Sequence, residues 1–294
     1  MSTDGVPSSG KAGVPLWEVQ AALERLYPPD TAQSWDTVGL VTGDPSQQVR
    51  RVLLAVDPTL QVIAEAHELE ADLVITHHPL LLKGIHSVTT DTAKGVVLTD
   101  LIRSRTALYC AHTNADVADP GVNQALAAAC GLRASEPLLV TEGVELGRVG
   151  ELTGPVSLED FAARLAAALP QTAGGVRVSG PPEAPVQRVA VLGGAGDSAF
   201  EQVRRSGADV YVTADLRHHP ALEAREEARA RAGTAYGTPF LVDAGHYATE
   251  WLWLPSLQLR LREELGAAGD RLDILISSVR TDPWDFLAGA PRTP

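Results

Sequence analysis

A stretch of 26 residues occurs twice in this chain, and that repeat restricts the folds open to it. Arg51-Val52, Ala71-Asp72 and Thr76 return 137 positions later as Arg188-Val189, Ala208-Asp209 and Thr213, with no gap in between. In the first copy RVLLAVD is an apolar run typical of a strand covered on both faces. TLQVIAEAHELEA then has helical periodicity, and DLVITHHP is a second apolar run opening into a loop. Strand, helix, strand in this order gives adjacent parallel strands with a helix crossing one face. Its duplication predicts an α/β protein with two related lobes, each an α/β/α three-layer sandwich.

The flanking segments extend the pattern. PLWEVQAALERLYP spaces Leu16, Val19, Leu23 and Leu26 as a helix stopped by Pro28-Pro29, and SWDTVGL follows as a loop or short strand. A helix from Thr92 to Ser104, a strand in TALYCAH and a helix after Pro120 continue the first lobe. SLEDFAARLAAALP is a helix that Ser157 can cap. The Pro/Gly-rich segment from Ala173 to Arg188 reads as a loop, LDILISSV as a strand, and DPWDFLAG as a tail whose Trp284 and Phe286 pack on the body. The expected partition is residues 14–135 with 240–294 as the first lobe, holding most of the candidate ligands. Residues 136–239 form the second lobe, and 1–13 a flexible N-terminus.

Composition excludes several classes. With 24 Lys and Arg against 37 Asp and Glu, the formal charge is −13, which disfavours a nonspecific nucleic-acid or anionic-membrane surface. The only two cysteines, Cys110 and Cys130, sit among small and apolar residues and suit buried thiols better than a secreted disulfide scaffold. The first residues lack the apolar core of a secretion signal, and no segment has the length of a membrane helix, so a cytoplasmic protein is expected.

Function is read from three close pairs: His77-His78, His112 with Asp116, and His246 with Glu250. Imidazole and carboxylate together suit divalent zinc, iron or manganese, and six such groups are enough for two ions. His77 and His78 stand at the carboxyl end of a repeated strand, where open α/β sheets place ligands. Neighbours on a continuing strand face opposite sides, so both can serve one site only if the strand ends there, and Pro79 favours that ending. In HTNAD, Asn114 and the following DPG favour turns, so His112 and Asp116 converge from a loop; the alternative makes Asp116 a cap of the next helix. His246 and Glu250 follow a strand and Gly245 at i,i+4 spacing, which places both on one helical face.

The other candidates are weaker. Asp36 either orients a histidine or caps local backbone. Asp215, His218 and His219 either line the cleft or are surface residues, while His67 and His86 stay outside the site. No phosphate loop or dinucleotide fingerprint is present, and GGAGD at 193–197 reads as a tight turn.

WDTVGL, DLVITHHP, AHTNAD followed by PGVN, and LVDAGHYATE span Trp35 to Glu250. In this order they resemble the GTP cyclohydrolase 1 type 2 homologs, the Nif-three-like dinuclear-metal-centre proteins. Thr37 stands where that pattern commonly has Asn. The resemblance implies a metal cleft between the two lobes and a toroidal homohexamer. It implies metal-ligand roles for His77, His78, Asp116, His246 and Glu250, with His112 nearby as ligand or proton carrier. The expected activity is metal-dependent hydrolysis of a nucleotide-like or phosphorylated small molecule by metal-activated water. A metal-binding or regulatory scaffold without turnover and a phosphatase or phosphodiesterase are the competing expectations.

Overall fold

The computed structural model describes residues 12–289, so the flexible N-terminus expected for residues 1–13 lies almost wholly outside the described residues. In chain order the strands and helices begin with β1 (Val14–Pro15), α1 (Leu16–Leu26), β2 (Gly39–Thr42), β3 (Gln48–Val49) and β4 (Arg51–Ala55). Next come α2 (Leu60–Glu68), β5 (Leu73–Thr76), α3 (Ala93–Ser104), β6 (Ala107–Cys110), α4 (Thr113–Val117) and α5 (Val122–Ala129). The middle of the chain holds β7 (Ser135–Thr141), β8 (Val144–Ser157), α6 (Leu158–Ala168), β9 (Arg177–Ser179), β10 (Pro185–Ala195) and α7 (Phe200–Ser206). The rest is β11 (Val210–Ala214), α8 (His218–Ala232), β12 (Phe240–Asp243), α9 (His246–Trp251), α10 (Trp253–Leu265) and β13 (Asp273–Ile276).

The chain divides into two compact units, the first comprising Met1–Pro29, Thr37–Ala111 and Leu257–Val279, the second Asp30–Asp36, His112–Ser256 and Arg280–Pro294. The first is built on a five-stranded sheet of order β13-β4-β5-β6-β2, in which β2 alone is antiparallel to its neighbour. Leu53, Ala55, Val74 and Leu108 point from this sheet into a core with Val62 and Ile63 of α2 and Val97 and Leu101 of α3. The intervening Val52, Leu54, Leu73 and Ile75 are buried too, which is why these strands read as continuous apolar runs.

The second unit has a six-stranded sheet of order β7-β8-β10-β11-β12-β9. Val189, Val191, Val210, Val212 and Phe240 pack on one face against Leu126 of α5, Phe161 of α6 and Ala248 of α9. Ala190, Tyr211 and Leu241 pack on the other face against Phe200 and Val203 of α7 and Ala224 of α8. Burying a Val or Leu side chain contributes roughly 1.5–3 kcal/mol, so this two-sided alternation is the main drive for the layering.

The repeat survives in register. Val52 pairs with Leu73 and Val189 with Val210, each pair offset from the other by the same 137 positions. Asp72 Oδ2 accepts the amides of Arg50 and Arg51 at 2.6 and 3.0 Å, and Asp209 Oδ2 accepts those of Gln187 and Arg188 at 2.8 and 2.8 Å. Arg51 donates to the Leu69 carbonyl, and Arg188 to that of Ser206. The shared Arg and Asp therefore staple the start of one strand to the entry of the next.

Three expectations are corrected. Residues 112–135 and 240–256 belong with the second unit, because α5 and α9 pack in its core and β12 pairs in parallel with β11. Four of the six candidate metal-site residues consequently lie outside the first unit. The segment Ala173–Arg188 is not all loop: β9 pairs antiparallel with β12, and β10 already starts at Pro185. Trp284 and Phe286 do not pack on the body, being 69% and 81% exposed. The predicted cap does form, with Ser157 Oγ accepting the Asp160 amide at 3.1 Å. Cys110 and Cys130 are both buried and not joined by a disulfide, and no helix among the described residues is long and apolar enough to cross a membrane.

Candidate metal centre

In the first unit the candidate residues lie where β5 ends. Thr76 Oγ1 donates to the His78 carbonyl at 2.9 Å, and beyond the strand the two imidazoles come together, with ring centroids 5.0 Å apart. Each offers a ring nitrogen within 4.8 Å of the other's. His77 is fully buried, with Nδ1 3.0 Å from the Ala111 carbonyl oxygen. A carbonyl can only accept, so Nδ1 carries the hydrogen and Nε2 presents the lone pair. His78 Nδ1 lies 2.7 Å from Asp57 Oδ1, and the carboxylate fixes the same tautomer.

In the second unit His112 precedes α4. Its Nδ1 lies 3.0 Å from Asp36 Oδ1, while Asp36 Oδ2 accepts the Thr113 amide at 3.1 Å and its hydroxyl at 2.6 Å. Burial works against the Asp36 carboxylate, yet the His112 and Thr113 hydrogen bonds outweigh it and hold the carboxyl well below its ordinary range. Asp36 is thus an orienting partner for His112, one of the two roles its position in WDTVGL allowed. Trp35 packs edge-on against the same imidazole with ring centroids 5.8 Å apart.

HTNAD is helical rather than a loop. The amides of Ala115 and Asp116 both donate to the His112 carbonyl, at 2.8 and 3.1 Å, closing a single turn that carries Asp116. Asp116 does not cap the following helix either, since the N-cap of α5 is Gly121, whose amide donates to Gln124 Oε1 at 2.9 Å.

The end of β10 organises the remaining residues. The Gly193 amide donates to Asn123 Oδ1 at 2.9 Å, and Asn123 Nδ2 donates to the Asp116 carbonyl at 2.8 Å. The next amide, that of Gly194, donates to Thr249 Oγ1 at 3.0 Å, and Thr249 Oγ1 donates to the His246 carbonyl at 2.8 Å. Two neighbouring glycines thereby tie the Asp116 turn and α9 to one strand end. Gly194 has φ +66°, and a Cβ there would lie 2.5 Å from Glu250 Oε1 and 3.3 Å from His246 Nε2. Only glycine lets the strand pass this close.

On α9 the i,i+4 spacing does what the sequence predicts: His246 Nε2 lies 2.9 Å from Glu250 Oε1, and Glu250 is buried. Asp215 Oδ2 holds His246 Nδ1 at 2.7 Å. With Nδ1 carrying the hydrogen, the imidazole lone pair and the carboxylate oxygen repel each other unless a proton or cation lies between them. His246 and Glu250 therefore make a His/Glu group that can hold a metal ion.

The exposed His67, His86, His218 and His219 belong to helix or loop surface, in agreement with the surface reading of the second HHP. The sequence reading missed Asp57, Asn123 and Thr249 and left Asp215 unassigned. A signal existed for Asp57 and Asp215, since each polar residue closes an apolar run at the end of a repeated strand. None existed for Thr249, one hydroxyl inside a helix.

These elements define a duplicated α/β protein with histidine and carboxylate groups at its strand ends. A profile of the Duf34/NIF3 family (NGG1p interacting factor 3) matches residues 15–283, and the chain belongs to that family. It is 49% identical over 95% of its length to a Streptomyces coelicolor protein named GTP cyclohydrolase 1 type 2 homolog, covering 96% of that protein. Among solved structures, a Bacillus cereus protein related to NIF3 superposes with TM-score 0.81 at 26% identity, over 94% of this chain and 100% of that one. Reduced HcgD from Methanocaldococcus jannaschii superposes with TM-score 0.74 at 31% identity, over 91% of this chain and 99% of that one.

Proposed function

We propose that His77, His78, Asp116, His246 and Glu250 hold two divalent transition-metal ions, zinc, iron or manganese, and that the protein hydrolyses a nucleotide-like or phosphorylated small molecule. The observation that carries this reading is the treatment of the four histidines. Each has Nδ1 engaged by a carbonyl or carboxylate oxygen, from Ala111, Asp57, Asp36 or Asp215, which leaves Nε2 as the lone-pair atom in every case. Partners of this kind orient metal-ligating imidazoles and raise their basicity. Two bound ions would supply Lewis-acid polarisation and a water acidic enough to attack at neutral pH.

The chain's own residues divide the remaining work. Asp116 and Glu250 contribute negative charge that favours divalent cations. Asp57 and Asp215 hold the rings of His78 and His246 in place. His112, fixed by Asp36 at Nδ1, takes up or returns a proton at Nε2. The exposed edge of Trp35 beside His112 offers an apolar surface to a planar substrate. The toroidal homohexamer is a further proposal resting on the family resemblance, and light scattering tests it.

The test is metal content together with turnover across nucleotides and phosphorylated small molecules. H78A and E250Q, with native circular dichroism, should each lose metal affinity by at least about tenfold and lose metal-stimulated turnover with it. Turnover unchanged in both variants overturns the proposal. Metal binding by the wild-type chain without any metal-stimulated turnover would leave a metal-binding scaffold in its place.

A further inference from the structure

We infer that the second unit carries a separate binding cavity for a small phosphorylated organic molecule, formed by α8, β9 and β12. The cavity is an open cleft of about 350 Å³, within the range of roughly 300–1,000 Å³ that small-molecule sites occupy. None of the proposed metal ligands lines it.

Charge is the first argument. The chain carries a formal charge of −13, yet this cavity is lined by Arg177, Arg225 and Arg229 against a single acid, Asp243. The Asp243 carboxylate is already engaged by Arg177 at 2.6 Å and by the amides of Leu216 and Gly245 at 3.0 and 3.3 Å. Arg229 pairs with Glu226 at 2.6 Å on the exposed surface of α8. With Arg177 matched by Asp243 and Arg229 by Glu226, Arg225 is left as the one guanidinium of the lining without a carboxylate partner, and a phosphate monoester supplies the missing negative charge.

Arg225 is the second argument. It is 3% exposed, donates from Nη1 to the carbonyls of Gly237 and Pro239 at 2.7 and 2.5 Å and from Nη2 to that of Ala235 at 3.4 Å, and lies 5.1 Å from the Phe240 ring centroid. No carboxylate pairs with it among the described residues, and its buried Nε makes no hydrogen bond. Burial, and after it the like charge of Arg229, press the guanidinium below its ordinary value. A buried cation with an unsatisfied donor and no counter-charge is compensated by an anion, and guanidinium is the side chain best matched to phosphate. Besides Ser179 and the exposed His218, the rest of the lining is apolar, with Val178, Leu216, Ala221, Leu222 and Leu241, so the cavity also accepts an organic body.

Isothermal titration of the full chain in excess chelator separates this site from the metal centre, because binding here needs no metal. Phenyl phosphate should bind with one-to-one stoichiometry, inorganic phosphate more weakly, and benzyl alcohol not at all. R229Q, which removes one charge at an exposed position, and L222W, which fills the cavity from a half-exposed position, should each weaken phenyl phosphate at least tenfold while circular dichroism stays native. The inference is overturned by absent phenyl phosphate binding, by affinity unchanged in both variants, or by benzyl alcohol binding equally well. Inorganic phosphate binding as tightly as phenyl phosphate would overturn the organic half of the assignment.

Discussion

After β5 the chain places His77 and His78; at the same offset, where β11 ends, it places Ala214 and Asp215. In the first copy the imidazole at position 78 is oriented by Asp57, which follows the neighbouring strand β4. In the second copy position 215 is the carboxylate, and the imidazole it orients, His246, comes from the neighbouring element α9. The counterpart of Asp57 is Gly194, where a side chain would collide with Glu250 Oε1 at 2.5 Å. The scaffold is duplicated and the donor and its orienting partner have changed places. Asp215 also sits at φ +54°, in the left-handed region that Asp and Asn enter more readily than other side chains, so the two strand ends leave their sheets differently.

The largest effect is expected where the exchange of roles is tested. D57N and D215N keep side-chain shape while removing the negative charge, and each should weaken metal binding about 10–100-fold by equilibrium dialysis. A loss confined to one variant would show that the two carboxylates are not doing equivalent work. A smaller effect falls on the conserved half of the comparison. D72A and D209A each remove a carboxylate that accepts two backbone amides, and each should cost about 1–2 kcal/mol in urea denaturation. Strongly unequal losses would break the structural equivalence of the copies.

The smallest effect distinguishes the copies by acid titration. Burial raises the Glu65 carboxyl, but hydrogen bonds from Ser277 and Ser278 outweigh it and hold it below its ordinary value. Because the folded value is the lower one, this contribution is present above the unfolded carboxylate range, near pH 4.3, and disappears as pH falls through the folded value. The residue 137 positions on is Gln202, which cannot titrate. E65Q should therefore flatten the acid side of the stability profile, and a slope identical to wild type would remove Glu65 from the account.

Much of this was legible beforehand because it is local. Apolar runs located β4, β5, β10 and β11, periodicity located α1 and α2, and i,i+4 spacing brought His246 to Glu250. The β7–β8 hairpin and β9 were not anticipated: the hairpin strands are partly exposed and lack a clean apolar run, and β9 is short and gains its hydrogen bonds from β12, distant in sequence. The lobe boundary was misplaced for the same kind of reason. The β12 strand could extend either sheet by composition, and only its parallel pairing with β11 decides the matter. The tail containing Trp284 and Phe286 shows the converse, since aromatic content by itself does not supply a surface to pack against.

By itself the sequence determined the duplicated strand-helix-strand unit, the metal-competent residue types and the family, since these depend on local pattern and side-chain chemistry. Tertiary structure decided which nitrogen each imidazole presents, because Asp36, Asp57, Ala111 and Asp215 reach their rings from 21 to 76 residues away. It also decided why positions 193 and 194 carry no side chain: two neighbouring amides hold the Asp116 turn and α9 by way of Asn123 and Thr249, and Glu250 occupies the space a side chain at position 194 would need. Spacing along a chain fixes contacts one helical turn away; contacts across a sheet exist only after the strands have paired.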